Sequence, residues 1–139
     1  MTRSLALGLL LSLATAPIAL AQDATPAADA RHIIEQQLAA FERDDAVEAY
    51  SYAAPEIQAL FPDPNQFLTM VDSAYAPVHH HRSVEFGPTA EQDGMIAETV
   101  ILTYGEGQVW TALYKLRKQP EGGWKVAGCV LSKSDQKGL

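Results

Sequence analysis

The apolar positions of this chain recur with two different periods, and the change from one to the other falls near Pro77. Ala30, Ile34, Gln37, Leu38 and Phe41 lie near one face at helical spacing, while His32, Glu35, Gln36 and Arg43 point elsewhere. This predicts a long amphipathic first helix. Thr25 is a candidate cap, and Pro26 suits a first helical position. Asp44 and Asp45 then break the pattern and can cap a shorter helix from Ala46 to Tyr52. Pro55 opens another turn or two through Phe61, which Pro62 stops. Asp63-Pro64-Asn65-Gln66 is the clearest helix start in the chain, because Asp63 can cap and Pro64 lacks an N–H that the first turn does not need. Phe67, Met70, Val71 and Ala74 follow at helical spacing, and Pro77 is expected to end that helix.

Beyond Pro77 the period is two. Val84 and Phe86 alternate with Ser83 and Glu85, and Asp93-Gly94 signals a tight hairpin before Met95 to Tyr104. That second strand carries Ile96, Val100 and Leu102 on one face with Glu98 among them. The third, Gln108 to Arg117, places Trp110, Ala112, Tyr114 and Leu116 together. The fourth, Trp124 to Leu131, is expected to set Trp124, Val126 and Val130 opposite Lys125, Ala127, Cys129 and Leu131. Helices followed by hairpin-connected strands predict an α+β fold, with N-terminal helices packed on a four-stranded antiparallel sheet. Apolar residues on both faces of the second and fourth strands exceed what a one-faced sheet needs. Either the outer face meets a partner or the sheet curls around an interior.

The first 21 residues read as an export leader: Arg3 supplies the positive start, Leu5 to Leu13 the apolar run, and Ala19-Leu20-Ala21 a small-x-small cleavage site. Cleavage after Ala21 is expected to deliver a periplasmic or secreted protein that meets a membrane only during export. An uncleaved anchor is the rival reading, which Pro17 and the cleavage site oppose. The expected organisation is a leader over 1–21, a tether over 22–29, one α+β domain over 30–132 and a polar tail over 133–139. Removing 21 of 139 residues leaves 118, and the loss of Arg3 takes the net charge from −7 to −8. Such an acidic chain lacks the basic footprint that nucleic acid requires. With 47% hydrophobic and 19% charged residues it has the composition of a packed globule. A single cysteine, Cys129, rules out an intrachain disulfide and reads as packing rather than as a nucleophile.

Four segments together resemble a family of secreted bacterial proteins, domain-of-unknown-function family 4864. They are Ile34 to Phe41 with Asp44-Asp45, Phe67 to Val71, Ala74 to Val78 with Arg82 to Phe86, and Gly123 to Cys129. The resemblance implies the cone-shaped nuclear-transport-factor-two-like superfamily, in which a curved antiparallel sheet wraps a long helix and leaves a pocket at its wide end. It implies no activity, because members of that superfamily include isomerases, dehydratases, binding modules and assembly domains.

Candidate chemistry falls in two places. If Val84 and Phe86 point inward, His80 and Arg82 join them, and Arg82 is the natural partner for Glu98, because a buried charge needs one. Tyr75, Trp110 and Tyr114 would complete a pocket with them. Within it Glu98 can serve as a base or as half of a structural ion pair. The second place is His79-His80-His81. On an extended backbone His79 and His81 share a face with Glu85, a weak metal-ligand set, and a solvated strand edge, the favoured reading, explains the same residues with no function. Asp44-Asp45 reads as a cap, with a paired-carboxylate site as the bolder alternative. Phosphate loops and nucleophile elbows are absent from the sequence, and no cofactor is expected.

Three functional readings follow. The first is a non-catalytic periplasmic module that binds a small ligand or a protein, with a homodimer through the sheet face as one form of it. The second is an isomerase- or hydrolyase-like enzyme that uses a pocket carboxylate or His. Metal binding through His79 and His81 is the third.

Overall fold

A computed structural model describes residues 25–137, with side chains described through Ser134. The expected leader and its cleavage site lie outside the described residues. Among the described residues five helices precede four strands: α1 Pro26–Glu42, α2 Ala46–Ser51, α3 Pro55–Leu60, α4 Pro64–Ala74, α5 Ala76–His79, β1 Ser83–Gln92, β2 Met95–Tyr104, β3 Gln108–Lys118 and β4 Trp124–Lys137. The strands form one antiparallel meander in the order β1-β2-β3-β4, so the α+β fold class read from the periodicities holds.

Local chemistry accounts for most boundaries. The Thr25 hydroxyl accepts from the Ala28 N–H, with Pro26 in the first turn, so α1 begins inside the segment expected to be a tether. Asp45 caps α2 by accepting from the Glu48 N–H, and Asp63 caps α4 through the Asn65 and Gln66 N–H groups. Pro77 does not stop α4. That helix ends at Ala74, and Pro77 sits in the first turn of α5, where its missing N–H costs nothing. Between β1 and β2, Asp93 and Gly94 both adopt positive φ, 50° and 74°, the two-residue geometry that matches strand twist. At the far end, β4 runs on to Lys137 through segments expected to be a polar tail.

The core lies between the helices and one face of the sheet. Ala30, Ile34, Gln37, Leu38 and Phe41 of α1 are all buried, and they meet Ile96, Val100 and Leu102 of β2 and Ala112, Tyr114 and Leu116 of β3. β4 is tied to the helices where Ala54 N–H donates to Val126 O at 2.8 Å and Val126 N–H to Tyr52 O at 2.8 Å.

Two bulges change which side chains face inward. In β4 the register passes from Leu116↔Val126 to Lys115↔Gly128, leaving Ala127 as the extra residue. The inward set therefore shifts from Trp124 and Val126 to Cys129 and Leu131, which pack on the core, while Val130 is 55% exposed. Strict alternation placed Val130 with Trp124 and Val126, and the bulge reverses that assignment. In β1 the register passes from Phe86↔Val100 to Thr89↔Glu98, with the additional residue at Gly87-Pro88. β1 is an edge strand, where a proline that cannot donate is tolerated.

This second bulge serves Glu98, which is fully buried on the inner face of β2. Its partner is Arg31 of α1, whose Nε donates to Oε1 at 3.1 Å; the expected pairing with Arg82 does not form. Register explains the difference. Arg82 lies one residue beyond the Ser83↔Thr103 pair, about 20 Å along the ladder from Glu98 at ~3.3 Å per residue. Arg31 Nη2 also donates to Gly87 O at 3.0 Å and to Thr89 Oγ1 at 3.2 Å, and the Thr89 hydroxyl donates to Glu98 Oε2. The guanidinium carbon lies 5.8 Å from the Phe86 ring centre.

Because Glu98 is fully buried and the Arg31 side chain is 41% exposed, removing the cation leaves an uncompensated carboxylate that water reaches only in part. Arg31→Met is expected to cost about 2–4 kcal/mol. Arg31→Met/Glu98→Leu should recover at least half of that loss. Urea unfolding of both variants checks this, and equal losses in the single and double variants would contradict the pairing.

Candidate functional site

The helices do not close completely on the sheet. A cavity of about 230 Å³ lies between the C-terminal half of α1, helices α3 and α4, and the inner faces of β3 and β4. Its lining is largely apolar: Phe41, Ile57, Phe61, Phe67, Met70 and Val71 from the helices, and Val126 and Cys129 from β4, with the exposed Leu60 at its edge. Phe67 organises the aromatic wall, with ring centres of Phe41, Tyr50 and Phe61 at 6.1, 5.7 and 6.5 Å in tilted arrangements. Gly128 also lines the cavity, and a Cβ built there meets nothing within 4 Å. The β4 bulge, which turns Cys129 inward, shapes this wall, while Gly128, paired with the outward-facing Lys115, contributes backbone only.

Three polar side chains reach this apolar space: Tyr75, Tyr114 and Gln37. Gln37 Nε2 donates to Ala49 O at 3.1 Å, which leaves its carbonyl oxygen as an acceptor. Tyr114 is buried, and burial, with the nearby Cys129 adding to it, pushes its phenol well above the ordinary value. It is therefore a neutral O–H donor at physiological pH. Burial likewise pushes the Cys129 thiol up to about 12, so it is an un-ionised packing group and not a nucleophile.

Of the six residues expected to form a pocket, Tyr75 and Tyr114 line this one. Glu98 is engaged with Arg31 and Thr89 on the β1–β2 side of the sheet. Trp110 packs against the core, with its indole Nε1 buried and without a hydrogen-bond partner among the described residues. Arg82 is exposed and donates from Nη1 to Gly105 O at 2.8 Å. His80 belongs to a different cluster.

That cluster corrects the strand reading of the three histidines. His79 is the last residue of α5 and His80 its C-cap, because Pro77 starts a helical turn through them; β1 begins only at Ser83. Glu85 is exposed on β1 and forms no set with His79 and His81. His79, 6% exposed, instead lies between two carboxylates, with Nδ1 2.9 Å from Asp72 Oδ1 and Nε2 2.6 Å from Asp44 Oδ1. His80 Nε2 lies 2.7 Å from the same Asp72 oxygen, and the two imidazoles stack with centres 4.0 Å apart. His81 Nε2 is 2.6 Å from Glu42 Oε1, and its Nδ1 is 2.8 Å from Val78 O. The hydrogen bonds from His80 and then His79 hold the Asp72 carboxyl below its ordinary value, so Asp72 is ionised at neutral pH. Asp45 is the helix cap, whereas Asp44, at φ 54°, turns its carboxylate onto His79.

Sequence reasoning missed Arg31, Asp44 in this role, Asp72 and Thr89. Arg31 could have been found as a cation one residue after the buried Ala30 and three before Ile34, able to reach a buried acid from the flank of the apolar stripe. Asp72 carries no linear signal, since only the α4–α5 corner brings it to the histidines. Among the described residues, no helix is long and apolar enough to cross a membrane.

A search of curated proteins finds no match. The family model described as Domain of unknown function (DUF4864) matches residues 23–139, the whole of the chain after its first 22 residues, and the protein belongs to that family.

Proposed function

We propose that this protein is a non-catalytic module that binds a small, largely apolar molecule carrying one hydroxyl or carbonyl group, and that it works in the periplasm or outside the cell. The cavity carries this reading. Its volume of about 230 Å³ falls just below the range of ~300–1,000 Å³ of ordinary ligand sites and above the ~150 Å³ that holds a benzene ring, which sets the ligand at one or two rings or a short acyl chain. The apolar wall supplies the binding free energy, at ~25 cal/mol per Å² of apolar surface covered. Tyr114, Tyr75 and Gln37 supply orientation, because a polar group placed among them finds a partner.

An isomerase- or hydrolyase-like mechanism has less support. It needs a carboxylate or imidazole facing the substrate, and neither type is among the lining residues described. Glu98, the acid best placed by sequence for such work, is engaged by Arg31 and Thr89. A pocket between helices and sheet is what the nuclear-transport-factor-two-like architecture would leave, and an inert, half-buried thiol suits an oxidising compartment. Assembly through the outer sheet face has a narrower basis, the partly exposed Leu113 and Val130, which are paired across β3 and β4.

Calorimetric titration with p-cresol tests the reading. The native protein should give a saturable one-to-one isotherm. Ile57→Trp, which enlarges a half-buried lining side chain, should weaken binding at least 10-fold while leaving the urea midpoint nearly unchanged. No saturable binding, or equal binding by the variant, would overturn the proposal.

Cys129 gives a second test. In the unfolded chain its thiol ionises near its ordinary value of 9.0, and in the folded protein near 12, so the folded state holds the proton more tightly. Its contribution to stability is intact below pH 9 and declines as pH rises from 9 to 12. Urea unfolding of wild type and Cys129→Ala between pH 8 and 11 should show the wild-type advantage shrinking with pH; a constant difference would show that burial does not perturb the thiol. In the native protein at pH 8, iodoacetamide should modify Cys129 far more slowly than in urea, and p-cresol should slow it further.

A further inference from the structure

We propose that Asp72, His79 and His80 form a divalent metal site of the Zn²⁺ type, with Asp44 as the residue that orients His79. The site is distinct from the cavity and from the strand-borne set of His79, His81 and Glu85 that the sequence suggested.

The geometry carries the proposal. One ligand atom from each of Asp72, His79 and His80 lies within 4.8 Å of the other two. Asp72 Oδ1 is 2.9 Å from His79 Nδ1 and 2.7 Å from His80 Nε2, so both imidazole nitrogens aim at one oxygen. Ligands bound at ~2.0–2.1 Å stand about 2.9 Å apart at an octahedral edge and about 3.4 Å apart at a tetrahedral one. An ion can therefore replace the protons between these atoms once the His79 and His80 nitrogens, which lie within 4.8 Å of each other, draw together around it. The donor chemistry, two imidazoles and one carboxylate, suits Zn²⁺ and, more tightly, Cu²⁺.

The second observation is the contact on the other side of His79. Ligation through Nδ1 leaves the proton on Nε2, and that nitrogen meets Asp44 Oδ1 at 2.6 Å. A carboxylate holding the far nitrogen of a ligating histidine fixes its tautomer and ring orientation. The backbone at Asp44 adopts φ 54°, which aspartate tolerates better than most residues and which turns the α1–α2 corner toward α5. His79 is buried while Asp72 and His80 are exposed, so the site is anchored on one side and open to incoming ions on the other. The chain's net charge of −7 adds a long-range attraction for cations. Bound there, an ion would lock α4 to α5, the corner that presents Val71, Tyr75 and Val78 to the cavity.

Titration of ZnCl₂ into metal-stripped protein, followed by calorimetry and by thermal unfolding with and without EDTA, tests the site. Wild type should bind one ion and melt at a higher temperature with zinc, an increase that EDTA abolishes. Asp72→Asn and His80→Ala, both at exposed positions that should not disturb folding, should each lower the affinity more than 10-fold. Asp44→Asn, which keeps a residue suited to positive φ, should lower it by about 10–100-fold. His32→Ala and His81→Gln should bind as wild type does. A flat wild-type isotherm, affinity unchanged in Asp72→Asn and His80→Ala, or binding that follows His32 or His81 instead would overturn the assignment.

Discussion

A carboxylate with no access to water sits in the middle of this protein's core face, and the arrangement around it follows from the need to compensate its charge. Glu98 occupies a position on β2 that the flanking Ile96, Val100 and Leu102 mark as interior. Burial of that charge is tolerable only with a cation and full hydrogen bonding. Arg31 supplies the cation from the N-terminal half of α1, and the β1 bulge supplies the rest by turning Gly87 O and Thr89 Oγ1 toward the same guanidinium. The pair therefore fixes how α1 is rotated and where it crosses the sheet. With its first half held over β1 and β2, the second half brings Gln37 and Phe41 over β3 and β4, where the cavity forms.

That cavity is a product of strand irregularity as much as of helix packing. Ala127 as the extra residue in β4 turns Cys129 inward, opposite Tyr114, where its small side chain leaves the gap unfilled. A regular strand would have directed Val130 toward the core instead. The histidine corner adjoins the same space: the His79 ring lies 6.2 Å from that of Phe41, a cavity residue, while its nitrogens hold Asp44 and Asp72. The α1–α2 corner, α4 and α5 are thus tied by polar contacts at His79, while Phe41 joins the apolar wall of the cavity.

Much of this fold was legible in the sequence, because it depends on local rules. The caps at Thr25, Asp45 and Asp63, the Asp93-Gly94 turn and the inward sets of α1, β2 and β3 follow from residue type and period. Errors arose where geometry departs from strict periods or depends on distant contacts. Pro77 reads as a terminator, yet a proline is equally at home starting the next turn, and that turn carried His79 off the strand on which a metal set with Glu85 depended. The β4 bulge reversed an alternation that sequence could only extend. Glu98 was recognised as a buried charge in need of a partner, but the choice between Arg31 and Arg82 rests on register, which two bulged strands do not declare. Tyr75 and Tyr114 were the pocket residues that could be read, since Tyr114 stands on the clear inward face of β3 and Tyr75 directly follows the apolar set of α4.

The central claim is that the Glu98 side of the core is closed and the Tyr114 side is open to a small apolar guest. Methyl-resolved NMR under xenon pressure tests it most directly, because xenon enters apolar cavities without needing a specific partner. Saturable shifts are predicted for Ile57, Met70, Val71, Val78 and Val126, with Ile96, Leu102 and Leu116 unmoved. Shifts spread evenly over both groups, or none in the first, would contradict the account.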